Sequence, residues 1–117
     1  MFDDTNASNG QGFILESHAN GQFVQFTMNV PQAGLYGVRP RHKPSNNRGI
    51  WQLSIDGVNQ GAAVDGFSSA ASYLELDLGT KQLAAGNHTF RFTVTGRNAG
   101  SSDSWIALDY IKLARRN

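Results

Sequence analysis

The chain has 117 residues, ten Lys and Arg against nine Asp and Glu, and no cysteine. That length holds one domain, and a formal net charge of +1 excludes an electrostatically driven nucleic-acid binder. The missing cysteine excludes disulfides, thiolate metal sites and thiol catalysis together.

No stretch is long and apolar enough to span a membrane. The opening Met1-Phe2-Asp3-Asp4 lacks both the basic and the apolar region of a signal peptide, so an extracellular role implies a module of a larger secreted protein. Residues 1–117 read as one domain, with 1–11 as a loose leading segment.

Helical periodicity is absent, and 13 glycines punctuate the chain at short intervals. Val24, Phe26, Met28 and Val30 alternate with Gln25, Thr27 and Asn29, which predicts a half-buried strand over 22–30. Pro31-Gln32-Ala33-Gly34 then turns the chain into a strand over 34–43. The basic run Arg39, Arg41, His42, Lys43 and Arg48 is broken by Pro40 and Pro44 and reads as a strand end and loop. Trp51, Leu53 and Ile55 share a phase ahead of Asp56-Gly57, a dipeptide suited to a primed hairpin turn, whose two central residues need positive φ.

Asp65, before Gly66-Phe67, is a ligand-loop residue or a turn cap. Leu74, Leu76 and Leu78 oppose Tyr73, Glu75 and Asp77. Ala85-Gly86-Asn87 turns into a strand from His88, where Phe90, Phe92 and Val94 oppose Thr89, Arg91, Thr93 and Thr95. A polar loop through Asn98, Gly100, Ser101, Ser102, Asp103 and Ser104 leads into the last strand. There Ile106, Leu108 and Tyr110 point one way; Trp105, Ala107, Ile111 and Leu113 point the other, together with Asp109. Apolar residues on both faces predict a strand in the middle of a sheet. A buried Asp109 there needs hydrogen-bond partners or a cation.

These elements predict an antiparallel β-sandwich of the jelly-roll type with about eight strands. Its expected core is Phe26, Met28, Leu53, Ile55, Leu76, Phe90, Phe92, Val94, Leu108 and Tyr110, with Tyr36 and Trp51 favoured there too. Catalytic patterns are missing. His18, His42 and His88 have no metal-ligand spacing, Ser101-Ser102-Asp103 forms no nucleophile elbow, and Glu75 and Asp77 share an exposed face. The expectation is a recognition domain, not an enzyme.

The segment from Asn20 through Gly21, Val24, Phe26, Val30, Ala33 and Gly34 to Tyr36 resembles the G-x-x-V-x-F-x-x-x-V-x-x-A-G-x-Y opening of galactose-binding-like jelly rolls. That superfamily includes the family-6 and family-35 carbohydrate-binding modules. Asp56-Gly57, Ala85-Gly86-Asn87-His88 and Leu108-Asp109-Tyr110-Ile111 follow in the same order, so the resemblance covers about residues 20–113.

The resemblance implies a non-catalytic module that targets an appended polysaccharide-active enzyme to its poly- or oligosaccharide. The sugar would sit among loops at one end of the sandwich, stacked on aromatic rings. The polar residue that often precedes the final Asp-Tyr is Ala107 here. Structural calcium, held in such domains by a Glu-x-Glu pair and a late carboxylate, lacks that pair in this chain; Asp3, Asp4, Glu16 and Asp109 remain as substitutes, and no cofactor is required. A similar jelly roll also serves as an accessory domain that packs subunits without binding sugar, which is the alternative.

The expected site lies where the 39–49 loop, the 65–73 segment and the 96–105 loop meet. Trp105 and Tyr73 are the stacking candidates, and Arg41, Arg48 and Asn98 the polar ones. Each has a plainer alternative: a core indole for Trp105, a strand former in Tyr73, solvated arginines, and ordinary turn chemistry for Asn98.

Overall fold

The alternating segments form antiparallel strands, as their half-apolar faces require. The computed structural model describes residues 2–3, 11–69 and 72–115; most of the 1–11 segment lies outside these. In chain order the strands are β1 (Phe2–Asp3), β2 (Gln11–Leu15), β3 (Phe23–Val30), β4 (Gly34–His42), β5 (Ile50–Ile55) and β6 (Val58–Asn59). They continue with β7 (Val64–Asp65), β8 (Leu74–Glu75), β9 (Thr80–Leu83), β10 (Gly86–Gly96) and β11 (Ile106–Arg115). Two-residue ribbons such as β6, β7 and β8 carry the number past the expected eight.

One sheet runs β1-β2-β11-β4-β8, with β9 also on β4; the other runs β3-β10-β5-β6, with β7 also on β5. The sheets stack with their apolar faces inward. Trp51, Leu53, Ile55, Phe90, Phe92 and Val94 meet Tyr36, Val38, Leu83, Ile106 and Leu108 across the core. Trp51 packs edge-on against Phe92, with centroids 5.1 Å apart. Phe26, Met28 and Leu76 are partly buried against this cluster.

The turn chemistry holds. Asp56 and Gly57 have φ of 51° and 85°, the two positive angles that a primed turn demands, and β5 pairs β6 in register around them. Pro31–Gly34 behaves differently from a hairpin turn: it carries the chain from β3 in one sheet to β4 in the other.

Strand β11 is central, as expected, lying between β2 and β4. Its alternation, however, is broken by a bulge. Leu108 pairs with His42 and Tyr110 with Arg41, so two steps along β11 match one along β4. Ile106 and Leu108 face inward before the bulge, and Ile111 and Leu113 pack against the core after it. Tyr110 is therefore not a core residue; it turns outward, and its hydroxyl donates to Glu75 Oε1 at 2.9 Å. Leu74 departs from the leucine stripe as well and is 51% exposed.

Candidate functional site

Strands β2, β4, β7 and β10 end, and β3, β5, β8 and β11 begin, at the same end of the sandwich. The segments 16–22, 43–49, 66–73 and 97–105 consequently converge there, residues 70 and 71 lying outside the described set. They are joined mainly through backbone groups. Ser45 N donates to Gly66 O, Ser68 N to Ser45 O, Gly66 N to Gly49 O, Gly49 N to Trp105 O, Trp105 N to Asn47 O, and Ser102 N to Asn46 O, all at 2.9–3.1 Å.

Glycine makes this approach possible. A Cβ on Gly49 would stand 2.9 Å from Ser104 O, and one on Gly66 would stand 2.8 Å from the Arg48 Cβ. Ser101 is buried in the middle, its hydroxyl within 2.7 Å of Arg48 O, 2.8 Å of Asp103 O and 3.2 Å of Asn46 O.

Two of the expected polar contacts, Arg48 and Asn98, bond within this frame. Arg48 is buried, and its guanidinium donates to Lys43 O at 2.9 Å and to Asn47 Oδ1. Asn98 donates to Asp65 Oδ2 at 2.7 Å and accepts from Gly100 N at 2.8 Å, while Asp65 caps the Phe67 amide at 3.0 Å. Asn98 and Asp65 thus do turn chemistry.

Arg41 and Tyr73 sit together on the outer face of the β11–β4–β8 sheet. The guanidinium lies 4.4 Å over the Tyr73 ring, Lys43 Nζ is 5.4 Å from the same ring, and Arg41 Nη1 donates to Asp109 Oδ2 at 2.6 Å. Asp109 is the buried carboxylate foreseen from the sequence; its side chain is 0% exposed, and Arg41 is its cation. Tyr73 is no bare platform, because Arg41 occupies one of its faces. Nearby, Arg39 bridges Glu75 at 3.0 Å and Asp77 at 3.4 Å. The hydrogen bonds from Arg39 and Tyr110 hold the Glu75 carboxyl below its ordinary range.

Trp105 is partly exposed at the loop–strand junction. Its indole Nε1 donates to Asp103 Oδ2 at 3.1 Å. The same carboxylate receives His18 Nδ1 at 2.8 and 2.9 Å and the Ser104 amide at 2.9 Å. Burial alone raises the Asp103 pKa, but the bonds from Ser104, His18 and Trp105 outweigh it and hold the group below its ordinary value.

His18 is absent from the sequence-based site, and Asp103 enters it only as a member of the 96–105 loop. They lie 85 residues apart and match no familiar spacing. The available signal was an Asp between two serines just before a Trp, a pattern suited to an Asx-type turn.

His42 is buried beneath this end, edge-on to Trp51 with centroids 5.7 Å apart, and its Nε2 has no hydrogen-bond partner among the described residues. Burial first, and the nearby Arg48 charge second, lower its pKa to about 4.

Of the calcium candidates, Asp4 and the side chain of Asp3 lie outside the described residues. Asp109 is held by Arg41, and no group of three or more His, Asp and Glu among the described residues is placed to hold a metal. Nor is any described helix long and apolar enough to cross a membrane.

No known family pattern matches the sequence, and no curated protein does. Solved structures do match. A domain of Paenibacillus xanthan lyase is 35% identical with a TM-score of 0.92, over 98% of this chain; the chain spans 11% of that enzyme's length. A family 35 carbohydrate-binding module from Clostridium thermocellum is 25% identical with a TM-score of 0.59, over 97% of this chain and 84% of the module. A family 35 module from an environmental isolate is 16% identical with a TM-score of 0.67, over 97% and 81% respectively. The family 35 structures matched along most of both chains are stand-alone binding modules, which are non-catalytic. In fold, this chain is a β-sandwich of the carbohydrate-binding-module type, similar to family 35 and to one domain of a polysaccharide lyase.

Proposed function

We propose that this domain binds a glycan at the loop end of its sandwich and works as a targeting module of a larger, secreted polysaccharide-active enzyme. The observation that carries this reading is Trp105: a partly exposed indole at the meeting point of the loops, its N–H oriented by Asp103. An aromatic face of this kind packs on the apolar C–H patch of a sugar ring, and the polar groups around it pair with hydroxyls. Arg41, paired with Asp109, and Lys43 lie together over Tyr73 on the same sheet and present N–H donors beside it. The similar domain inside a lyase supports the idea of an appended module.

Affinity electrophoresis through gels containing xanthan, galactomannan or polygalacturonate tests this. Wild type is retarded by at least one gel, and Trp105→Ala loses the retardation with an unchanged Tm. Trp51→Ala is the control for a core lesion and lowers stability by about 3–5 kcal/mol. A collapsed melt for Trp105→Ala removes the site's anchor. Free migration of wild type in every gel, with a concentration-dependent dimer in ultracentrifugation, favours the accessory assembly role instead.

A further inference from the structure

Asp103 holds together two rings that the chain delivers from opposite directions. His18 comes from the segment between β2 and β3, and Trp105 from the start of β11. Both donate to the same carboxylate, His18 Nδ1 at 2.8 Å and Trp105 Nε1 at 3.1 Å to Oδ2. A third bond, from the Ser104 amide to Oδ1, fixes the carboxylate itself. The segment carrying His18 is tied down in turn: Gln22 Oε1 accepts from the His18 amide at 3.0 Å, and Gly21 N donates to Val94 O at 2.8 Å.

Yet the His18 side chain is 69% exposed. An acceptor at Nδ1 leaves Nε2 as the ring nitrogen available to solvent. In either protonation state that nitrogen can pair with a hydroxyl, which both donates and accepts.

We infer that Asp103 is a positioning residue that sets the Trp105 ring and the His18 imidazole side by side, and that His18 Nε2 hydrogen-bonds a hydroxyl of the sugar stacked on Trp105. The second half rests on the glycan-binding reading above; the first half does not.

Two arms separate them. In the first, NMR follows solvent exchange of the two indole N–H groups and the His18 tautomer without any ligand, with buried Trp51 as the internal reference. Asp103→Asn is expected to speed Trp105 indole exchange by about tenfold, the scale of losing a charge-assisted bond, and to release the fixed Nδ1–H tautomer. Unchanged exchange and tautomer overturn the clamp, and Tm reports whether the variant is folded. His18→Gln serves as a second variant on an exposed position, with indole exchange again the readout.

In the second arm, His18→Gln and wild type run through the xanthan, galactomannan and polygalacturonate gels. Retardation weakened about tenfold at an unchanged Tm, the scale of one net hydrogen bond, supports the contact. Retardation equal to wild type overturns it. Should wild type migrate freely in all three gels, the ligand role of His18 falls with the binding reading, while the first arm still decides the clamp.

Discussion

The two ends of the sandwich are built on different principles. At one end β5 and β6 are joined by Asp56-Gly57, a turn whose shape follows from two residues' own φ preferences. At the other, segments 43–49, 66–69 and 97–105 have no regular turn geometry in common and are fixed by hydrogen bonds between residues up to 58 positions apart, as between Trp105 N and Asn47 O. Local encoding sets the shape of the turn, and Asp56 then ties it to the start of β10, accepting from Thr89 N at 2.9 Å and from His88 Nδ1 at 2.6 Å. Long-range cross-bonding makes the loop end a single cooperative unit, so a lesion in any one loop should be felt in the others.

The largest expected effect lies under the loop end. His42 is neutral in the folded protein, with its pKa lowered from the ordinary 6.5 to about 4, so the unfolded chain binds more protons between those values. Stability therefore falls as pH drops through that window, by about 3 kcal/mol in all. Urea titrations at pH 7 and pH 4.5 should show this slope in wild type and its loss in His42→Gln. Equal slopes would mean that His42 is not the acid-sensitive group beneath the loops.

A smaller effect is expected from Ser101→Ala, which removes the hydroxyl lying among three carbonyls. The cost should be about 1–2 kcal/mol, and hydrogen exchange should rise together at Ser102, Gly49 and Trp105, whose amides belong to the cross-bonded frame. Faster exchange confined to Ser101 itself would break the picture of a cooperative unit.

The smallest effect comes from the opposite end. Gly57→Ala meets no steric obstacle, since nothing lies within 4 Å of the added Cβ; the strain arises from φ of 85° alone, about 1 kcal/mol. Its consequences should stay within β5, β6 and the start of β10, where Asp56 holds His88 and Thr89. Altered exchange at the loop end in this variant would show that the ends are coupled after all.

This contrast also explains what could be read from the chain. Asp56-Gly57 was legible because a primed turn is specified by its own two residues. The alternation of β3 and β10 was legible because each has one polar and one apolar face. Strand β11 was legible as central but not in phase. Ala107-Leu108-Asp109-Tyr110-Ile111 is apolar on both parities, so nothing in it marks the bulge that turns Tyr110 outward. At the site, the loops that would meet could be foreseen from strand order, and Trp105 from its junction. Arg48 and Asn98 could not be assigned, because their partners are carbonyls and side chains of other loops, which no local pattern announces. His18 was hidden for the same reason.

The backbone character of the loop-end bonds has a further consequence, for variation. Asn46 contributes its main-chain carbonyl to the frame, accepting from Ser102 N, and its side chain is exposed. Replacing that side chain leaves the carbonyl and its partner where they are. The rim of this domain is thus open to diversification at such positions, much as hypervariable loops are on a constant scaffold, while Gly49 and Gly66, which have no room for a Cβ, and Ser101, whose hydroxyl lies among three carbonyls, must stay invariant in any library.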